Sequence, residues 1–219
     1  MMFYETAGNR HGLPHDPFKA IVAPRPIGWI STRSRAGAVN LAPYSFFSAV
    51  SDDPKLVLFG SSGAKDSAAF AIESGEFVAN FASAHLANAL VRTSAAAARG
   101  VSEFEIAGLT ERPARLVSAP IVDEAYAALE CRVTQSFHPE TLDGQGTETV
   151  IVVGQVVGIH IDERILRDGL IAVDLAEPLS RLGYLDYAVT REVFAMKRPR
   201  QPDASDLPVE PGLPPGVKR

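Results

Sequence analysis

Two long β-forming runs, Ala127 to Phe137 and Thr149 to Ile161, flank the loop Pro139-Glu140-Thr141-Leu142-Asp143-Gly144. Asp143-Gly144 and Gly146 lie between two β-branched, partly alternating segments, which is a hairpin signal because Asp-Gly tolerates the positive φ of a tight reversal. Shorter β signals surround it. Ala20 to Ala23 and Ile27 to Thr32 read as short apolar β segments interrupted by Pro24-Arg25-Pro26. A turn at Arg35-Ala36-Gly37-Ala38 leads into Val39 to Leu41, with Gly37 free to take positive φ. Lys55 to Phe59 is a further strand, ended by Gly60-Ser61-Ser62-Gly63, and Phe77 to Phe81 is another.

Two helices interrupt this β pattern. Asp66 is an N-cap for a helix running to about Ser74, with Gly75 as its stop. Ser83 caps a second, in which Leu86 and Leu90 share a face, the alanine run 95–98 keeps propensity high and Gly100 ends the helix. There is no βαβ alternation and no internal repeat, so the pattern predicts a mainly β fold with inserted helices, a closed or half-open barrel. Residues 1–18 read as an N-terminal arm and 19–197 as one domain. Residues 198–219 carry six of the sixteen prolines and read as an extended tail.

Composition narrows the function classes. Apolar residues make up 46% of the 219, enough for a core, and the net charge is −5. Nucleic acid is excluded, since clustered Lys and Arg are needed to hold phosphates and Lys197, Arg198 and Arg200 form only a short proline-broken ending. Cys131 is the single cysteine, so neither an intrachain disulfide nor a Cys-based zinc site is expected, and its apolar surroundings predict a small buried hydrophobe. The start of the chain lacks signal-peptide features, and the longest apolar run, Val150 to Ile161, is too short to span a bilayer. A cytoplasmic protein without membrane or metal partners is the expectation. His11 and His15 are separated by Gly12 and Pro14, which deny them a helical metal spacing, and no G-x-S-x-G elbow exists.

The local feature richest in chemistry is Gly60-Ser61-Ser62-Gly63-Ala64-Lys65-Asp66-Ser67, where a strand runs into a helix. Glycines admit close backbone approach, serines offer hydroxyls, Lys65 brings charge, and a helix N-terminus presents unpaired N–H groups. Together they form a cradle for one phosphate. The loop is neither a Walker motif nor a dinucleotide fingerprint. Nearby, Asn40, Tyr44 and Ser45 offer polar groups beside Pro43, Phe46 and Phe47, the mixture a flat heteroaromatic ring with a polar edge requires. An ordinary capped turn and a hydrophobic corner are the alternative readings of these two segments.

The order A-P-R-P-I-G-W-I-S-T, G-x-x-N-L-A-P-Y-S-F-F, S-x-D-P, K-D-S and S-G-E-F-V-A-N resembles the flavin reductase-like family. The likeness continues through Phe104 to Thr110, Leu129-Glu130-Cys131 and Arg181-Leu182-Gly183-Tyr184, and so covers about Pro17 to Lys197. The resemblance implies an FMN-binding split β-barrel that pairs into a homodimer. Trp29, Ser31 and Thr32 match the motif whose strand lines the flavin. Asn40, Ala42, Pro43, Tyr44, Ser45 and Phe46 match the segment meeting the isoalloxazine and ribityl chain. Ser61, Ser62, Lys65, Asp66 and Ser67 match the phosphate loop, with Ser67 where the family often has Thr. Arg181 opens a family motif read as Arg-x-Gly-Gly, in which Tyr184 replaces the second glycine and narrows the site if it faces the flavin; a structural ion pair is the other role for Arg181. The implied activity is an FMN-dependent oxidoreductase, a flavin reductase using NADH or NADPH. The alternatives are a flavoredoxin-like electron carrier serving a partner protein, or a split-barrel binding protein without redox function.

Overall fold

Described here is a computed structural model covering residues 1–63, 65–95 and 101–196 of the chain. The Pro-rich tail, its basic ending and the predicted helix stop at Gly100 lie outside the described residues.

Seven strands build one antiparallel sheet: β1 Gly28–Arg33, β2 Val39–Tyr44, β3 Phe47–Asp52, β4 Lys55–Ser62, β5 Glu76–Phe81, β6 Ala127–Phe137 and β7 Thr149–Ile161. Their order is β2-β1-β5-β6-β7-β4-β3. The two end strands, β2 and β3, are consecutive in the chain and joined only by Ser45-Phe46, so the sheet has to curl until its ends meet. The result is a half-barrel split at this corner, where the Gly60 N–H donates to the Phe46 carbonyl at 2.7 Å. Gly28 makes the closure possible. A Cβ there would stand 2.4 Å from the Phe47 ring, which reaches across the split from β3.

The β6–β7 hairpin has the limits its sequence predicts, pairing from Ile151↔Phe137 to Ile161↔Ala127. The inner face of the curled sheet is filled by Ile30, Tyr44, Phe59, Phe77, Cys131 and Val152. Phe59 joins Tyr44 and Phe77 at ring separations of 5.0 and 5.3 Å. Helix α1, Asp66–Ser74, plugs this interior with Ala68 and Ala71. Burial pushes the Cys131 thiol above its ordinary value, leaving it protonated.

A second layer covers the outside of β1 and β2. Trp29 and Leu41 pack there with Leu86, with Leu90 of α2 (Ala87–Arg92) and with Phe104 of α3 (Glu103–Ala107). On β6, the fully buried Glu130 accepts hydrogen bonds from His160 Nε2 at 2.5 Å, Arg115 N at 2.9 Å and Leu116 N at 2.6 Å. Burial alone would raise its carboxyl; these three donors outweigh that and hold it below its ordinary value.

Several local expectations are corrected. Ala20 to Ala23 is not a strand: Phe18–Ile21 forms a short helical turn, started by Pro17, whose carbonyl accepts from Ile21 N at 3.0 Å. Lys65 rather than Asp66 occupies the N-cap of α1, and Asp66 is its first helical residue. Ser83 caps nothing with its side chain, because its Oγ pairs with His85 Nδ1 at 2.9 Å. Helix α2 ends at Arg92, before the alanine run, where Thr93 turns its hydroxyl back onto the Leu90 carbonyl at 2.8 Å. No described helix is long and apolar enough to cross a membrane.

Candidate functional site

Strand β2 lies at one end of the sheet order, so one of its backbone edges has no strand beside it. Two residues manage that edge. Leu41 directs its N–H away from β1 and donates to Glu103 Oε2 at 3.1 Å. Pro43, two residues on and facing the same way, has no N–H to leave unpaired. Along this edge runs a cleft of about 580 Å³.

One wall of the cleft is the start of α1. Gly63, at φ +76°, turns the chain after β4, and Ser61 Oγ holds the turn by donating to the Gly63 carbonyl at 3.1 Å. The turn delivers Ser62, Lys65, Asp66 and Ser67 to the cleft. The helical ladder of α1 starts with Ala69 N donating to the Lys65 carbonyl at 3.0 Å, so the N–H groups of its first turn lie ahead of the ladder and carry the partial positive charge of the helix terminus. Lys65 is exposed and makes no ion pair among the described residues.

The floor is β2 and the corner after it, from Asn40 and Ala42 through Pro43, Tyr44, Ser45 and Phe46, with Gly60 of β4 beside them. Asn40 Nδ2 donates to Glu103 Oε1 at 3.1 Å, and Ser67 Oγ donates to Asn40 Oδ1. Burial raises the Tyr44 phenol above its ordinary 10.0. Lys19, Thr93, Ser94, Ala95 and Glu103 complete the lining.

Five residues singled out by the sequence do not line the cleft. Trp29 stands behind it, fully buried, its Nε1 donating to Thr93 Oγ1 at 2.9 Å. Ser31 Oγ donates to the Pro120 carbonyl and accepts from Asn80 Nδ2 at 3.0 Å. Thr32 is fully buried and its hydroxyl finds no partner among the described residues. Ser61 shapes the turn described above. Arg181 faces its own turn, its guanidinium 4.5 Å from the Tyr187 ring centroid and bonded to the Tyr184 and Asp186 carbonyls. Tyr184 does not narrow the cleft either, since its ring lies 5.6 Å from that of His15.

The flavin reductase-like domain model matches residues 22–179. The chain belongs to the flavin reductase-like family. Among curated relatives, an uncharacterised protein of Bacillus subtilis is 35% identical over 185 residues, 81% of this chain and 89% of its own. Nitrilotriacetate monooxygenase component B from Bacillus cereus superposes with a TM-score of 0.81 at 28% identity, over 90% of this chain and 98% of that one. The 2-nitrobenzoate 2-nitroreductase of Pseudomonas fluorescens follows at 0.78 and 25%, covering 92% and 99%. A flavin reductase-like chain is a flavin-related oxidoreductase, and the cleft fits such a cofactor on its own geometry. It offers Lys65 and the first-turn N–H groups of α1 on one wall, and Pro43, Phe46 and Gly60 on the floor.

Sequence reasoning missed Glu103, Lys19, Thr93, Ser94 and Ala95. The first was within reach: Ser102 caps α3, accepting from Phe104 N at 3.3 Å, and Gly108 closes it at φ +69°, so Ser102-x-x-Glu105 followed by Gly is a helix signature. Nothing in the sequence separates Lys19 from other exposed lysines.

Proposed function

We propose that the chain binds FMN in the β2 cleft and passes electrons to it from NADH or NADPH, acting as a homodimeric flavin reductase. The observation that supports this most is the α1 wall: the first-turn N–H groups of a helix and an exposed Lys65 with no ion pair among the described residues, at one end of a cleft whose floor is a strand edge. That combination suits a monophosphate on an aromatic ligand. In this reading Ser62, Lys65 and the first N–H groups of α1 hold the phosphate. Pro43, Phe46 and Gly60 seat the ring. Trp29, Ser31, Thr32 and Ser61 act from behind the wall, keeping Thr93, β1 and the Gly63 turn in register.

The bound flavin supplies the two-electron redox chemistry, so no side-chain acid–base set is required. The residues of the chain orient, neutralise charge and keep water from the buried side of the floor. The likeness to one component of a monooxygenase supports a partner protein as the eventual user of the electrons.

Purified protein titrated with FMN, and scanned across the visible range, tests the cofactor. Bound-flavin bands are expected, with NADH or NADPH oxidation following flavin addition. Flavin binding without nicotinamide oxidation would instead identify an electron carrier, and no binding would leave the fold without the ligand. Lys65→Ala should weaken FMN about ten-fold or more, the worth of a charged hydrogen bond. Its effect on riboflavin, which lacks the phosphate, should be small.

A further inference from the structure

Two carboxylates line the cleft. Asp66 is exposed at the start of α1, whereas Glu103 is 8% exposed and makes no ion pair among the described residues. Both oxygens of Glu103 are occupied: Oε2 by the Leu41 N–H and Oε1 by Asn40 Nδ2, each at 3.1 Å.

That arrangement has a direction. A carboxylate accepts and cannot donate, so the Asn40 carboxamide must turn its nitrogen to Glu103 and its oxygen to Ser67. The Ser67 hydroxyl proton is then committed to Asn40 Oδ1. Ser67 Oγ keeps only lone pairs, so its side chain cannot donate to a ligand. Asn40 Nδ2, by contrast, carries two protons and Glu103 takes one. The other remains on a residue that lines the cleft.

We infer that Glu103 is a positioning residue that sets the polarity of the row Glu103–Asn40–Ser67, so that Asn40 presents a donor, not an acceptor, to the bound cofactor. The inference rests on the FMN reading and deepens it: the ligand must set an acceptor atom, a carbonyl or hydroxyl oxygen or a ring nitrogen, against Asn40. Exchange of the charge for an amide of the same shape allows the row to reverse. In Glu103→Gln the new side-chain oxygen still accepts from Leu41, while its NH₂ group donates to Asn40 Oδ1. The Asn40 carboxamide is then free to flip, with Ser67 as acceptor.

The test is a double-mutant cycle read as FMN affinity, by titration of wild type, Glu103→Gln, Asn40→Ala and the double variant, alongside melting of the flavin-free proteins. Glu103→Gln should bind FMN about ten-fold more weakly, as for one lost directed hydrogen bond, with a flavin-free melting temperature like that of wild type. In the Asn40→Ala background the same change should have no further effect. Wild-type affinity in Glu103→Gln overturns the inference. So does an undiminished loss in the Asn40→Ala background, which would mean that Glu103 acts through its own charge. If Glu103→Gln melts lower, the cycle still decides, because both backgrounds carry the same penalty. Failure of the wild type to bind FMN overturns the cofactor reading, and this inference with it.

Discussion

Tyr184 shows where reading a sequence one residue at a time stops. Its departure from the Arg-x-Gly-Gly pattern is visible in the chain, and so is the expectation of glycine there. The reason is a backbone angle: φ is +54°, a conformation glycine adopts freely and a tyrosine only at a cost of roughly 1–2 kcal/mol. The replacement leads the ring to His15 and not to the cleft, which no spacing rule reveals. Its neighbour Gly183 is bound by space, since a Cβ there would lie 2.7 Å from the Ala20 backbone. Cys131 is the opposite case, because its apolar run suffices to predict burial. A thiol-specific reagent should therefore leave native protein unlabelled and modify Cys131 fully only after denaturation; labelling of the folded protein at the rate of a free thiol would contradict the packing described.

At the level of elements, most strands were legible, but β3 at Phe47–Asp52 and the short helices at Phe18–Ile21 and Glu103–Ala107 were not. β6 and β7 announce themselves by length, β-branching and an Asp-Gly reversal, and helix α1 by Gly75 at its end. Ala20 to Ala23 is too short to show any period, and its shape is fixed by Arg25, whose guanidinium binds the nearby Lys19 and Val22 carbonyls and the distant Leu182 carbonyl at 2.8 Å. The cleft residues from Asn40 to Ser67 were readable as a polar–aromatic segment and a phosphate-type turn. Glu103 and Thr93 come from other elements and join them only when α2 and α3 pack on β1 and β2. Within the hairpin, Gly154 is required by Phe77, whose ring would lie 2.4 Å from an added Cβ, with Cys131 Cβ at 3.1 Å. Gly154→Ala should cost about 1–3 kcal/mol by overpacking, measured as a lower denaturant midpoint at unchanged slope.

For the molecule as a whole, stability should depend on acid in a specific way. The Glu130 carboxyl is held below its ordinary 4.5 in the folded state, so its contribution is fully present above that pH. It is lost as pH falls through the lowered folded value. Thermal melts of wild type below pH 4.5 should therefore decline more steeply than those of Glu130→Gln, which starts less stable at neutral pH; parallel acid branches would count against the assignment. The strand pattern alone makes the curl foreseeable as a half-open barrel, whereas the split is implied only by the family resemblance, because it depends on which strands end up as neighbours. The split leaves β2 bordering the cleft. An uncovered strand ordinarily invites another chain to pair with it, and from there leads to swapped or fibrous assemblies. Here Leu41 has given its N–H to Glu103 and Pro43 has none, so an incoming strand would find no free donor at either position. A border of this kind resists templated aggregation while remaining approachable by a small molecule, and a Pro43 substitution that restored the missing donor would weaken that protection first.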